Sequence, residues 1–172
     1  MIFTSNKLKQ ISKYLLYAIF LFTISSCSNN NKKASISELD SFMNKWHHAA
    51  ATANEDIFFG MMDANGIYLG TDSSELWTSK ELQEWSKPYF SKDTAWAFTP
   101  ISRHWYFSNI TNNIVWFDEL LKTNMGICRG SGVLEKTEKI WKIKQYNLCL
   151  TIPNELMQEV VNLSKSRKLN IQ

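Results

Sequence analysis

Apolar residues recur along this chain at two different periods, and the switch between them near residue 95 does most to limit its fold. Before it, Leu39, Met43, Trp46, Ala50 and Ala53 fall at steps of three and four, one stripe of a helix. Ser37 ahead of Glu38 and Asp40 reads as an N-cap with acids in the first turn. Asn54 ahead of Glu55 and Asp56 reads as a second start, so the spacing predicts helices over 37–53 and 55–62. Ala49, Ala50, Ala51 and Ala53 keep one side of the first helix slim, so bulky groups can approach it closely. "GIYLGTD" reads as a short strand between glycines. "TDSSELWTSKELQEWSKPYF" turns helical again, capped by Thr78 or Ser79, with Leu82, Trp85 and Tyr89 or Phe90 on its apolar face. Pro88 is expected to end it near Lys87.

After the switch the pattern is β. "TAWAFTPISRHWYFSN" and "NIVWFDELL" read as long strands, with Pro100 marking a bend or bulge in the first. "GICRGSGVLEK" and "IWKIKQYNLCLTIPN" read as a hairpin around "KTEK". The tail carries a helical stripe, Leu156, Val160 and Leu163, and ends basic. Helices first and antiparallel strands after is an α+β order. A curved antiparallel sheet wrapped around the N-terminal helices, with an internal pocket, satisfies it.

The first thirty residues are of another kind. Lys7, Lys9 and Lys13 precede the apolar run "YLLYAIFLFTI". The run is short of the roughly 20 residues that span a bilayer, and its length and flanks suit the core of a secretory signal. "ISSC" follows, and small residues before a Cys at the edge of such a run resemble the bacterial lipobox. That resemblance implies cleavage before Cys27, lipidation of Cys27, and a place in the bacterial cell envelope, facing the periplasm or exterior. A plain N-terminal anchor helix is the alternative. The expected layout is a signal peptide over 1–26, a polar tether over 27–35, a folded domain over 36–155 and a helical tail over 156–172.

A formal charge of only +3 gives no electrostatic case for nucleic acid. There is no His-x-x-x-His and no Cys/His cluster, so no metal or other cofactor is expected. Seven Trp residues in an aromatic content of 13% fit a core of large side chains or an aromatic-lined cavity.

"GTDSSELW", "WFDELL", "GICRGSGVL" and "WKIKQYNLCLTIPNE" resemble, in order, the SnoaL-like branch of the nuclear transport factor 2-like superfamily. The resemblance covers residues 36–155. It implies a cone-shaped α+β fold with a deep pocket, often dimeric through the outer face of its sheet. Polyketide cyclases, isomerases, dehydratases and ligand-binding proteins all use this fold, so it does not decide among them.

Strand parity sorts the candidate residues. With Thr137–Glu138 as turn centre, Leu134, Gly132, Gly130 and Cys128 share a face with Trp141, Ile143, Gln145 and Asn147. That uncharged face is the expected concave side. Asp118 shares a face with Trp116 and Leu120, and Glu119 with Phe117 and Leu121, so the two acids cannot serve one cavity together. Asp118 beside Trp116 is the candidate general acid or base, with His47, His48 or His104 as helper. The alternative is an ion pair of Asp118 with Arg103 or Arg129. Asp72 reads as an Asx turn that sets the entrance to the third helix, with Trp77 over the cavity mouth. Two functions stand ahead of a third, an interaction protein that uses the open sheet face. One is a membrane-anchored module binding a small apolar or aromatic molecule among Trp46, Tyr68, Trp77, Trp85, Trp96, Trp116 and Trp141, oriented by Gln145 and Asn147. The other is a cofactor-independent isomerase, cyclase or dehydratase.

Overall fold

The computed structural model describes residues 34–166. The signal-peptide and lipidation assignments, and the tether up to residue 33, lie outside those residues. Helix α1 (Ile36–Ala51) is followed by α2 (Glu55–Met61), β1 (Met62–Leu69), β2 (Leu76–Thr78) and α3 (Ser79–Phe90). Four long strands come next: β3 (Thr99–Phe107), β4 (Ile114–Thr123), β5 (Gly126–Thr137) and β6 (Ile140–Leu150). A 3-10 turn (Asn154–Leu156) and α4 (Met157–Ser166) complete the described chain. Among the described residues, no helix is long and apolar enough to cross a membrane.

The strands form one curved, unclosed sheet of six strands in the order β2-β1-β6-β5-β4-β3. The α+β architecture is therefore as expected, with one difference. β1 pairs with β6 in parallel, and only the other pairs are antiparallel. A parallel partner needs a long crossover, and the whole of α3, β3, β4 and β5 lies between these two strands.

The helix caps show how local chemistry sets the ends. Ser35, not Ser37, caps α1, accepting from the Glu38 N–H at 3.1 Å. Asn54 caps α2 as its sequence suggests. Thr78 and Glu81 form a reciprocal capping box at the start of α3. α3 runs past Pro88 to Phe90. Proline removes one N–H there, and the rings of Tyr89 and Phe90 offset the loss by packing on Trp85 and Trp96. Near the end of α1 the Ala50 carbonyl accepts from the Ala95 N–H at 3.1 Å, which pins the loop leading to β3.

The predicted apolar stripe of α1 is the centre of the core. Leu39, Met43, Trp46 and Ala50 are buried, together with Val115, Phe117, Leu121, Leu134, Ile143 and Tyr146 of the sheet. Trp46 stacks on Phe58 with ring centroids 4.6 Å apart and meets Tyr146 edge-on at 4.7 Å. α4 packs no residue into the core.

The β5–β6 hairpin differs from the parity reading in register. Its turn residues are Glu138 and Lys139, both left-handed with φ of 51° and 70°, so Leu134 faces Ile143 rather than Trp141. A bulge then shifts the register between Val133 and Leu134, where Lys144 is the unmatched residue. β5 keeps the expected inner face of Cys128, Gly130, Gly132 and Leu134. β6 keeps it only through Trp141 and Ile143. Beyond the bulge Tyr146 and Leu148 turn inward, and Gln145, Asn147 and Cys149 turn outward. Cys128 and Cys149 consequently lie on opposite faces, both as free thiols.

A two-residue hairpin turn with both residues left-handed favours Asn-Gly. The double substitution Glu138→Asn, Lys139→Gly is expected to raise stability by roughly 1 kcal/mol. Urea unfolding checks it: the midpoint rises with an unchanged slope, and an unmoved midpoint would place the turn elsewhere.

Candidate functional site

Glu119 is fully buried. A lone carboxylate in that position would be very costly, and the structure surrounds it with four donors. His47 Nε2 lies 2.8 Å from Oε1, and the Tyr146 hydroxyl donates to the same oxygen at 3.0 Å. Arg103 donates to Oε2 from Nε at 2.9 Å and Nη2 at 2.7 Å. Since a carboxylate only accepts, His47 Nε2 carries the shared proton. Arg103 in turn reaches Asp40 at 3.1 Å and Asn44 at 3.2 Å through Nη1, and Trp105 Nε1 donates to Asp40 at 2.9 Å. Burial by itself would raise the Glu119 pKa. The hydrogen bond from His47 and the charge of Arg103 outweigh it and hold the group below the usual carboxylate range. Burial first, then the Glu119 charge, push the Tyr146 hydroxyl well above the usual tyrosine range.

Two sequence signals underlie this network. Asp40, Asn44 and His47 step by four and three, one residue behind the apolar stripe of α1, and so form a polar edge on the same side. Arg103 sits directly across from Glu119 in the β3–β4 ladder. A third condition is steric. A Cβ at Gly130 would collide with the Tyr146 hydroxyl, so glycine there admits the phenol to the carboxylate.

Behind one wall of this network lies an open cleft with a volume of about 170 Å³. Its lining includes Tyr68, Trp77, Trp85, Trp96 and Phe98, with Leu82 and Leu148 among its apolar contacts. Trp77 stacks on Trp85 at 4.8 Å, and Trp85 on Tyr89 at 5.0 Å. Tyr68 and Phe98 are the partition between cleft and network. Tyr68 stacks on Tyr146 at 5.5 Å, and Phe98 meets the His47 ring edge-on at 6.0 Å. Gly70, Thr71, Glu75, Asn124 and Met125 complete the lining.

The expected pocket residues divide accordingly. Tyr68, Trp77, Trp85 and Trp96 do line the cleft. Trp46 is core. Trp141 is buried elsewhere, its indole donating to Glu38 at 2.9 Å beneath the Lys136 ammonium. Gln145 and Asn147 face outward because of the β6 bulge. Trp116 is exposed on the outer face, stacked on Tyr106.

Asp118 and Glu119 do part to opposite faces, but with the reverse assignment. Asp118 lies on the outer face, bonded to the Tyr106 hydroxyl at 2.8 Å and to His104 and Arg129 at 3.2 Å. The Tyr106 hydrogen bond is the main cause of its lowered pKa. Asp118 and His104 thus meet as cross-strand neighbours, outside the cleft. The reason is that Trp116 marks the outer face of β4, whereas Val115, Phe117 and Leu121 are buried on the other. Among the described residues no group of His, Cys, Asp and Glu has the arrangement of a metal site. The Asx turn at Asp72 is present, its carboxylate accepting from the Ser74 N–H at 2.9 Å.

A SnoaL-like domain model matches residues 39–153. The chain belongs to the SnoaL-like family. Solved structures agree on the fold. A nuclear transport factor 2-like protein of unknown function from Pseudomonas putida KT2440 superposes with a TM-score of 0.57 at 8% identity, over 69% of this chain and 88% of that one. A candidate ketosteroid isomerase from Parabacteroides distasonis gives a TM-score of 0.55 at 17% identity, over 74% and 95% of the two chains. A candidate aromatic ring hydroxylase from Novosphingobium aromaticivorans gives 0.52 at 14% identity, over 67% and 87%. Identities this low speak for the fold alone. No curated protein matches the chain.

Replacing Glu119 by Gln is expected to cost roughly 3–5 kcal/mol, because it removes the buried counter-charge of Arg103 and leaves only the more exposed Asp40 to balance it. The pH dependence has a definite sign. A depressed folded pKa means the carboxylate contributes stability above its ordinary value of 4.5 and loses it as pH falls through the lower folded value. Denaturant unfolding from pH 7 downward should therefore show the gap between wild type and Glu119→Gln narrowing only below about pH 4.5. A gap that stays constant to lower pH would exclude this role.

Proposed function

We propose that this SnoaL-like domain binds a small, largely apolar molecule in the aromatic cleft, and that it does so at a membrane surface through a lipid on Cys27. The observation that carries the reading is the stacked pair of Trp77 from β2 and Trp85 from α3 in the cleft lining, with Tyr89 stacked in turn on Trp85. Aromatic faces held in register by one another offer a preformed apolar surface and lose little side-chain freedom on binding. A cleft of about 170 Å³ is close to the volume that houses one benzene-sized ring.

The geometry favours binding over acid–base catalysis. Asp118 and His104 point away from the cleft, and the Glu119 oxygens are engaged by four donors. In the proposal a second copy of the chain covers the outer sheet face, where Tyr106 and Trp116 lie exposed.

Organic extraction of the protein purified from membranes, followed by mass spectrometry, tests the binding. A small apolar molecule should accompany the wild type and be lost from Trp85→Ala. Equal recovery from both proteins would place the ligand elsewhere. Anchoring has a separate check. Cys27→Ser should abolish metabolic incorporation of a labelled fatty acid and shift the protein from the membrane to the soluble fraction. Retention on the membrane after signal cleavage would rule out the lipid anchor.

A further inference from the structure

The cleft has a sign as well as a shape. Of its lining residues only Glu75 carries a charge, and none is Lys, Arg or His. Five of the large groups are aromatic: Tyr68, Trp77, Trp85, Trp96 and Phe98. An aromatic face is the negative side of the ring quadrupole, so a ring that turns its face to the space attracts a cation. An ammonium with its charge spread over carbon loses little hydration on entering such a site.

Glu75 is placed to act on that space. The carboxylate Oε2 accepts from the Asp72 N–H at 3.1 Å, which ties the side chain back to its own loop. Oε1 has no hydrogen-bond partner among the described residues. The side chain folds close against the strand end because residue 70 is glycine, where a Cβ would collide with the carboxylate. The Glu75 backbone carbonyl also accepts from the Gly70 N–H at 2.8 Å, which closes the loop on itself. Its charge is felt inside the cleft wall: after burial, it is the next cause that raises the Tyr68 hydroxyl above the usual tyrosine range. Asp72, with its carboxylate on Ser74, adds a second negative group on the same loop.

We infer that the molecule taken by the cleft is a small organic cation, a quaternary or tertiary ammonium with an apolar envelope, held among the aromatic side chains of the lining and countered by Glu75. This rests on the cleft being the binding site and adds the charge of its ligand. An anionic ligand meets the Glu75 carboxylate with the wrong sign and finds no Lys, Arg or His in the lining. A neutral ligand of the same shape gains the apolar contact and lacks the electrostatic part.

Two probes of nearly equal shape separate these contributions: choline, and its uncharged carbon analogue 3,3-dimethylbutan-1-ol. Binding is followed on the described domain within the full chain by tryptophan fluorescence and by calorimetry. Choline should bind at least about tenfold more tightly than the alcohol, the size expected of a partly desolvated cation–π site. Glu75→Gln keeps an acceptor for the Asp72 N–H and should weaken choline about tenfold while leaving the alcohol unchanged. Trp85→Leu keeps an apolar side chain at that position and should likewise weaken choline more than the alcohol. Thermal unfolding of both variants shows whether the fold is intact. If the alcohol binds as well as choline, or Glu75→Gln changes neither, the cation inference is overturned and the apolar cleft stands. If neither probe binds the wild type, the cleft is not a small-molecule site and both readings fall.

Discussion

The Glu119 carboxylate is the point on which the helix-to-sheet packing of this domain depends. It has no solvent exposure and stays ionised, so the surrounding elements must bring donors to it. Each donor comes from a different place: His47 from α1, Arg103 from the edge strand β3, Tyr146 from β6. Apolar packing of α1 on the sheet is tolerant of small slides and rotations, because hydrophobic contact has little direction. Four hydrogen bonds to two oxygens have strong direction. The network therefore sets where α1 lies along the sheet, and Asp40 and Asn44 extend that register through Arg103 by another turn of helix.

The same constraint reaches the cleft. Tyr146 is fixed by Glu119, and Tyr68 stacks on Tyr146. His47 is fixed by Glu119, and Phe98 packs against His47. Two walls of the aromatic cleft thus rest on rings that cannot move without breaking a bond to a buried charge. On the far side, Trp77 of β2 stacks on Trp85 and Trp85 on Tyr89, the last two on a helix whose start is fixed by the Thr78–Glu81 box. A preformed site loses less free energy to ordering when a ligand arrives.

Much of this was legible before any coordinates. The stripe Leu39, Met43, Trp46 and Ala50 is the core face of α1, and Asn54 and Thr78 cap the helices that follow them. The parity rule parted Asp118 from Glu119 correctly, since adjacent strand residues cannot share a face. It could not say which face was inside. Trp116 suggested one answer by its size, while Val115, Phe117 and Leu121 outvoted it in the folded protein. In β6 a single unmatched residue, Lys144, reversed every later side chain, bringing in Tyr146 and turning out Gln145 and Asn147. Glu75 carries no signal in the sequence, because an acid in a turn segment is ordinarily solvated.

From the sequence alone followed the α+β class, the period of each element, the caps of α2 and α3, and the parting of Asp118 from Glu119. These depend on neighbours three, four or two positions away, and such distances are fixed by helix and strand geometry. Tertiary structure alone decided which strand face met α1, where the β6 bulge fell, and which aromatic rings gathered into a cleft. Those outcomes depend on contacts between residues far apart in the chain, such as His47 with Glu119 and Tyr68 with Tyr146. The buried carboxylate, with its four hydrogen bonds from three residues, selects one arrangement from the several that the local pattern allows.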